Sequence, residues 1–404
     1  MGKIEKVSDR LKRISVSQTL EMAMRSRELI EKGVDIIDLS IGQPDFKTPP
    51  HIKAAAIRAI ENDYTFYTPV AGFKELRQAI VKKFKKENNL DFELNQIVVS
   101  NGAKQALANV IMSLVNENDE VLVPVPYWVS YGEIINLANG KNVFLPTDVE
   151  DDFKVTPQQI RDAITENTRL FIFSSPSNPS GSVYSKKELR EIAEVIRENE
   201  NLYVISDEIY EHINFLGKHE SIAQFDFIKD QVIVINGVSK GYAMTGWRIG
   251  YMAAPKWVAD NCFKLQGQYT SGASSISQMA ALEAISSDDN IYTLGMNAAF
   301  KRRRDLIIEL MSGIKGFRTN IPQGAFYVFP DVSEFFGKSD GYIMIKNASD
   351  LAMYLLNEAH VAVVPGTAFG DPKCIRFSYA TSREKIKVAF ERIKKALEGL
   401  HKEG

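Results

Sequence analysis

Apolar and polar positions along this chain fall into short, unbroken apolar runs separated by stretches of helical period. The runs are Ile97–Val99, Val121–Val123, Val143–Leu145, Leu170–Phe173, Tyr203–Ile205, Val232–Ile235 and Ile249–Met252. A strand that reads as one apolar run is buried on both faces, so this alternation predicts an α/β layer with a mainly parallel sheet under helices. Ser185, followed three residues later by Glu188, has capping-box spacing and opens the amphipathic stretch Leu189–Arg197. Further helices are expected at Thr19–Lys32 and Ala106–Val115.

After about residue 295 the pattern changes. A charged helical stretch around Arg302–Leu310 leads to strand-like segments at Ala325–Phe329, Val361–Val364 and Ile375–Tyr379, and an amphipathic helix closes the chain over Arg383–Leu400. At 404 residues the chain exceeds what one core usually organises. The expected division is an N-terminal segment (1–48) joining a small domain, a large domain (49–295), and a small α+β domain (296–404).

Composition narrows the function classes. Apolar residues make up 45% and charged residues 25%, which is the balance of a folded globular chain. A net charge of −2 provides no positive field for nucleic acid or an anionic membrane. Cys262 and Cys374 lie far apart without CxxC spacing, which excludes a disulfide framework and a cysteine metal site. The first residues lack a signal-peptide core, and no apolar stretch is long enough to span a bilayer, so a cytoplasmic protein is expected.

In sheets of this kind ligands collect beyond the carboxyl ends of the strands. Leu170–Phe173 runs into Ser174-Ser-Pro-Ser-Asn178-Pro-Ser-Gly181, Tyr203–Ile205 into Ser206-Asp207-Glu208-Ile209-Tyr210, and Val232–Ile235 into Asn236-Gly-Val-Ser-Lys240. Taken singly, a strand-end carboxylate is ordinarily a turn residue, a lysine a surface residue and Asn-Pro a turn. Their joint occurrence with Arg248, eight residues beyond Lys240, points to chemistry. Ser100-Asn-Gly-Ala-Lys-Gln105 lies between a strand and a helix, where the amides of Gly102 and Ala103 would face an anion.

Together these segments resemble the class I aminotransferases of the fold-type I pyridoxal-phosphate enzymes, particularly the bacterial aspartate aminotransferase branch. The resemblance spans nearly the whole chain and is carried by Pro126-Tyr-Trp-Val-Ser-Tyr131, Ser175–Gly181, Ser206–His212, Ser239–Gly250 and Arg376-Phe-Ser-Tyr-Ala380. It implies a large domain built on a seven-stranded sheet, with pyridoxal 5'-phosphate held as a Schiff base on Lys240. The freed Lys240 amine would then move the proton between substrate and cofactor. Asp207 would keep the ring nitrogen protonated, so that the ring can store a carbanion's electrons. Tyr210 and Asn178 would hydrogen-bond the phenolic oxygen, with Asn178 also facing the substrate carboxylate. Gly102, Ala103, Ser239 and Arg248 would hold the phosphate, although Gly237 stands where the family has a serine. Trp128 would stack on the ring.

By the same resemblance Arg376 would clamp the substrate α-carboxylate as a fork, with Gly42 adding a backbone contact. Tyr67 would reach the phosphate of a neighbouring subunit, which implies a homodimer with shared active sites. Lys104, with the small hydroxyls Ser17 and Thr19, would hold a distal carboxylate. The expected reaction is therefore L-aspartate plus 2-oxoglutarate to oxaloacetate plus L-glutamate, by a ping-pong route. Related prephenate aminotransferases use a similar lysine and threonine with an arginine nearby, here Arg13, so prephenate or aromatic transamination is the alternative. A C–S lyase or an aminocyclopropane-carboxylate synthase needs no distal-carboxylate site. A non-enzymatic effector sensor would need a DNA-binding module, for which the roughly fifteen residues ahead of the matched segments offer no room.

Overall fold

The computed structural model describes residues 7–16, 18–287 and 290–402. After the short β1 (Ile37–Asp38), strands β2 (Ile97–Ser100), β3 (Glu120–Val125), β4 (Lys141–Pro146), β5 (Thr168–Ser174), β6 (Tyr203–Asp207), β7 (Val232–Gly237) and β8 (Gly250–Ala253) follow in turn. The last seven form one sheet in the order β2-β8-β7-β6-β5-β3-β4, and they coincide with the seven apolar runs. Only β8 runs against the others.

Every residue of β2, β7 and β8 is buried, because helices cover both faces of the sheet. Leu107, Val110 and Cys262, from helices Ala103–Leu114 and Lys256–Tyr269, pack with Met252 on one side. Leu76, Ile80, Leu189 and Ile192 form the core on the other. Helix Lys186–Arg197 starts at the expected capping box, where the Ser185 amide donates to Glu188 at 2.6 Å. Burial of each such aliphatic side chain contributes roughly 1.5–3 kcal/mol, so the sheet is held chiefly by its two apolar faces.

Register sets the position of the chemistry. Ser174 pairs with Asp207, Asp207 with Ile235, Gly237 with Gly250 and Gly250 with Ser100. The loops carrying Asn178, Tyr210, Lys240, Arg248 and Lys104 therefore all leave one rim of the sheet.

The rest of the chain forms a second core, which Tyr210 and Ile213 join from the connection after β6. Strands β9 (Tyr327–Val328), β10 (Lys338–Ser339), β11 (Met344–Ile345), β12 (Val361–Ala362), β13 (Val364–Pro365), β14 (Ile375–Ser378) and β15 (His401–Lys402) make three small sheets, in one of which β12 pairs with β1. Met22, Ile37 and Leu39 share this core with Phe300, Phe326 and Phe377, so N-terminal residues pack with C-terminal ones. Two strands are shorter than the sequence pattern indicates. Ala325 takes φ +56 and its amide donates to the Ile213 carbonyl, so β9 starts only at Tyr327. Val363 separates β12 from β13. Conversely the charged helix is longer, Ile291–Ser312, and runs through position 295. No helix among the described residues is long and apolar enough to cross a membrane.

A buried polar cluster ties the rim together. Lys83 forms an ion pair with Glu211, and Glu211 also accepts from Asn88 at 3.1 Å and from Asn236 at 2.8 Å. Burial alone would raise the Glu211 carboxyl, but Lys83, His212 and His219 hold it well below the usual carboxylate range. Glu211 lies four residues after Asp207 and Asn236 four before Lys240, so this cluster fixes the two loops against each other. Lys83→Met leaves the carboxylate buried without its cation and should cost about 3–5 kcal/mol of stability. Equilibrium urea unfolding checks this. A loss below about 1 kcal/mol would show that Glu211 is neutralised by other means.

Candidate active site

A cavity of about 390 Å³ opens where the sheet rim meets the C-terminal core. From the rim come Asn178, Asp207, Tyr210, Ser239, Lys240 and Arg248; from the first turn of helix Ala103–Leu114 come Ala103 and Lys104. Thr19 and Gly42 enter from the N-terminal segment, and Tyr327 and Arg376 from β9 and β14. Trp128 lies along the wall.

Asp207 is buried at the end of β6, and its Oδ2 accepts a hydrogen bond from the Tyr131 hydroxyl at 2.7 Å. Burial pushes the carboxyl up to about 6, against the hydrogen bonds from Tyr131 and from the Ile209 amide. Burial and the adjacent Asp207 also keep Tyr131 a neutral phenol, well above its ordinary range. Lys240 donates to the Gly42 carbonyl at 2.6 Å. Burial, then Arg376 and Arg248, lowers its ammonium to about 8, with Asp207 pulling the other way. The cavity thus holds an amine that gives up its proton readily and a carboxylate that lacks a cation.

At the opposite end Gly102 caps helix Ala103–Leu114 with φ +88. A side chain there would collide with the Arg248 guanidinium, and one at Gly250 would collide with the Ala103 amide. Arg248, itself at φ +58, donates to the carbonyls of Thr245 at 2.9 Å and Asn101 at 3.3 Å. A helix N-terminus and an arginine therefore converge on one corner of the cavity that Ser239 also lines, and donors of this kind are what an anion requires.

Arg376 is buried and donates to the Ser40 carbonyl at 2.6 Å and to Asn178 Oδ1 at 3.0 Å, while its Nε has no partner among the described residues. Lys104 stays partly exposed, with its ammonium 5.0 Å from the centroid of a Trp128 ring. Partial burial and Arg248 lower it from the ordinary lysine range. Two expected residues stand away from the cavity. Tyr67 is 97% exposed, and Arg13 donates to Asn139 at 3.2 Å outside the cavity lining. Arg13 lies on the surface because the backbone beside it is held by the Ser15 amide on Glu133 at 3.1 Å. Ser17 lies outside the described residues.

Two tyrosines escaped the sequence reading. Tyr131 closes the Pro126–Tyr131 segment that also holds Trp128, and that closeness to an expected ring-stacking residue is the signal the sequence offers. Tyr327 sits in a strand-like apolar segment, where nothing marks its hydroxyl as different from any core tyrosine.

These residues fit pyridoxal phosphate. The uncompensated buried carboxylate suits a protonated ring nitrogen, the readily neutral Lys240 amine suits a carbonyl, and the Gly102 cradle with Arg248 suits a phosphate. The orphaned Nε of Arg376 is available to a further acceptor.

Known proteins share this sequence pattern and fold. The family described as aminotransferase class I and II matches residues 34–393. A bifunctional aspartate aminotransferase and glutamate/aspartate-prephenate aminotransferase of Petunia hybrida is 45% identical, covering 98% of this chain and 84% of the relative. A probable aspartate/prephenate aminotransferase of Rickettsia conorii is 44% identical over 97% of this chain and 98% of its own. Among solved structures, the aspartate aminotransferase from Rhizobium meliloti superposes with TM-score 0.95 at 40% identity, covering 98% of this chain and all 100% of its own. With a family match across most of its length and relatives of this identity, the chain belongs to the class I and II aminotransferases, the fold-type I pyridoxal-phosphate-dependent enzymes.

Proposed function

We propose that this aminotransferase moves the amino group of L-aspartate to 2-oxoglutarate. The observation that carries the reading is Lys104. Its charge is opposed by partial burial, by Arg248 and by the positive end of a helix, and it forms no ion pair among the described residues. A substrate with a second carboxylate supplies the missing counter-charge, while Arg376 takes the α-carboxylate. The aspartate aminotransferase from Thermus thermophilus, 38% identical, was solved with the dicarboxylate maleate, in keeping with this.

Pyridoxal phosphate, when bound, supplies the carbonyl that takes the amino group and the ring that stores the electron pair. The chain's residues do the rest. Lys240, with its ammonium lowered to about 8, holds and releases the proton moved at the substrate Cα. Asp207 would hold a proton on the ring nitrogen, and Tyr131 steadies that carboxylate. Tyr210 and Asn178 would hydrogen-bond the phenolic oxygen, and Trp128 would cover the ring. Gly102, Ala103, Ser239 and Arg248 would hold the phosphate. Thr19 stands with Lys104 at the distal carboxylate, and the Gly42 backbone stands beside Arg376.

The same proposal includes a body of 49–295 and a smaller body of 1–48 with 296–404, in keeping with their separate cores. It also includes a homodimer. Phe66 and Tyr67, 80% and 97% exposed, are large aromatics left in water unless a second subunit covers them. A second reading, prephenate as amino acceptor, is favoured by relatives named aspartate/prephenate aminotransferase and by the apolar Leu20, Ala23 and Ile41 in the cavity wall.

Lys104→Ala should lower kcat/KM for aspartate roughly 30- to 4000-fold, corresponding to about 2–5 kcal/mol, with alanine turnover little changed. Steady-state assays across donors, with 2-oxoglutarate or prephenate as acceptor, decide it. Equal loss on both donors would remove the distal-carboxylate reading, and a preference for prephenate would select the second one.

Asp207 has a folded pKa of about 6 against 3.8 unfolded, so the folded protein binds the extra proton and loses stability as pH rises through that window. Cofactor-free Asp207→Asn should accordingly exceed cofactor-free wild type by about 1–3 kcal/mol at pH 7 and match it near pH 4, while binding cofactor more weakly. Urea unfolding at the two pH values measures the first part. A wild-type advantage at pH 7 would mean that Asp207 is not desolvated.

Mixing Lys240→Ala with Tyr67→Ala subunits should restore activity above the sum of the two parents, because each hybrid then holds one complete site. No recovery, with dimers verified by light scattering, would place Tyr67 in its own subunit's service.

A further inference from the structure

Tyr327 lines the cavity, is fully buried, and has no part in the chemistry above. Its hydroxyl lies 2.9 Å from the Tyr210 hydroxyl. Its ring lies 4.5 Å beneath the Arg376 guanidinium. The same hydroxyl stands 3.0 Å from the point where a side chain on Gly42 would begin, and the Gly42 carbonyl is the acceptor for Lys240. One phenol thus touches the residues proposed for cofactor and substrate carboxylate, and stands beside the residue that accepts from the Lys240 amine.

Two hydroxyls at this distance share one hydrogen bond, so one proton is used and the other is left to point elsewhere. The guanidinium over the Tyr327 ring withdraws charge from it and makes Tyr327 the better donor. Tyr210 is then the acceptor. Its own proton has no other acceptor among the described residues, which leaves the cavity that Tyr210 lines.

We propose that Tyr327 is a positioning residue, whose hydroxyl donates to Tyr210 and so aims the Tyr210 O–H at the phenolic oxygen of the bound cofactor. The inference rests on the reading that Tyr210 faces that oxygen. Because Tyr327 belongs to β9 and Tyr210 follows β6, the bond also ties cofactor tuning to a strand outside the seven-stranded sheet.

The test is the pH titration of the cofactor's visible absorption band in the holoenzyme, for wild type, Tyr210→Phe, Tyr327→Phe and the double variant. A donor on the charged form of an acceptor lowers its pKa. Tyr210→Phe should therefore raise the midpoint by about one pH unit and Tyr327→Phe by roughly half a unit. The double variant should match Tyr210→Phe alone, since Tyr327 acts only through Tyr210. Tyr327→Phe keeps the ring under Arg376, so the Kd for propionate, an unreactive monocarboxylate, should stay within about twofold. An unmoved midpoint in Tyr327→Phe, or additive shifts in the double variant, overturns the positioning role while leaving Tyr210's own role standing. An unmoved midpoint in Tyr210→Phe removes the role of Tyr210 itself, and the inference with it. Weakened propionate binding with an unmoved midpoint would assign Tyr327 to Arg376 instead.

Discussion

The carboxylate of Asp207, taken out of water at the end of a central strand, is the constraint on which the rest of the site depends. Burial raises it to about 6, and a single phenol and one backbone amide are its hydrogen-bond partners. An isolated carboxylate in such a place is costly, and a protein keeps one where a bound cation completes it. The neighbouring Lys240 is shifted the other way, so the two groups stand near the neutral range from opposite sides. That pairing of shifted acid and amine suits a cofactor that must hold one proton and pass another.

The fold meets this constraint through register. Parallel strands deliver their carboxyl ends to one rim, and the reversed β8 brings Arg248 to the same rim from its amino end. Gly250 and Gly102 remove side chains where β8, Arg248 and the helix start approach most closely. Beneath the rim, Lys83 and Glu211 lock the loops of Asp207 and Lys240 together through Asn236. Stability and catalysis therefore share residues at that point.

The opposite wall of the cavity comes from outside the seven-stranded sheet. Arg376 and Tyr327 sit on adjacent antiparallel strands, and β1 pairs with β12 so that Ser40 and Gly42 reach them. Arg376 and the phenol next to Tyr210 are thus carried by strands outside the seven-stranded sheet. Contact between the cores completes the cavity.

Much of this was legible from the amino-acid order alone. All seven sheet strands, the capped helix at Ser185 and the polar residues at the strand ends follow from local pattern, because apolar runs and turn residues act over a few positions, while the family and its cofactor follow from the resemblance of five segments. The short β9 was not legible, since Ala325 departs from the strand through a bond to distant Ile213. Nor was the surface position of Arg13, which is held beside a helix more than a hundred residues away. Tyr131 and Tyr327 look like core aromatics in sequence, and only the packing of strands far apart in the chain gives their hydroxyls partners. The sequence by itself determined which groups the rim would carry, because strand and turn propensities are local. The tertiary structure alone decided what each group faces, because burial and charge depend on neighbours that no short stretch of sequence contains.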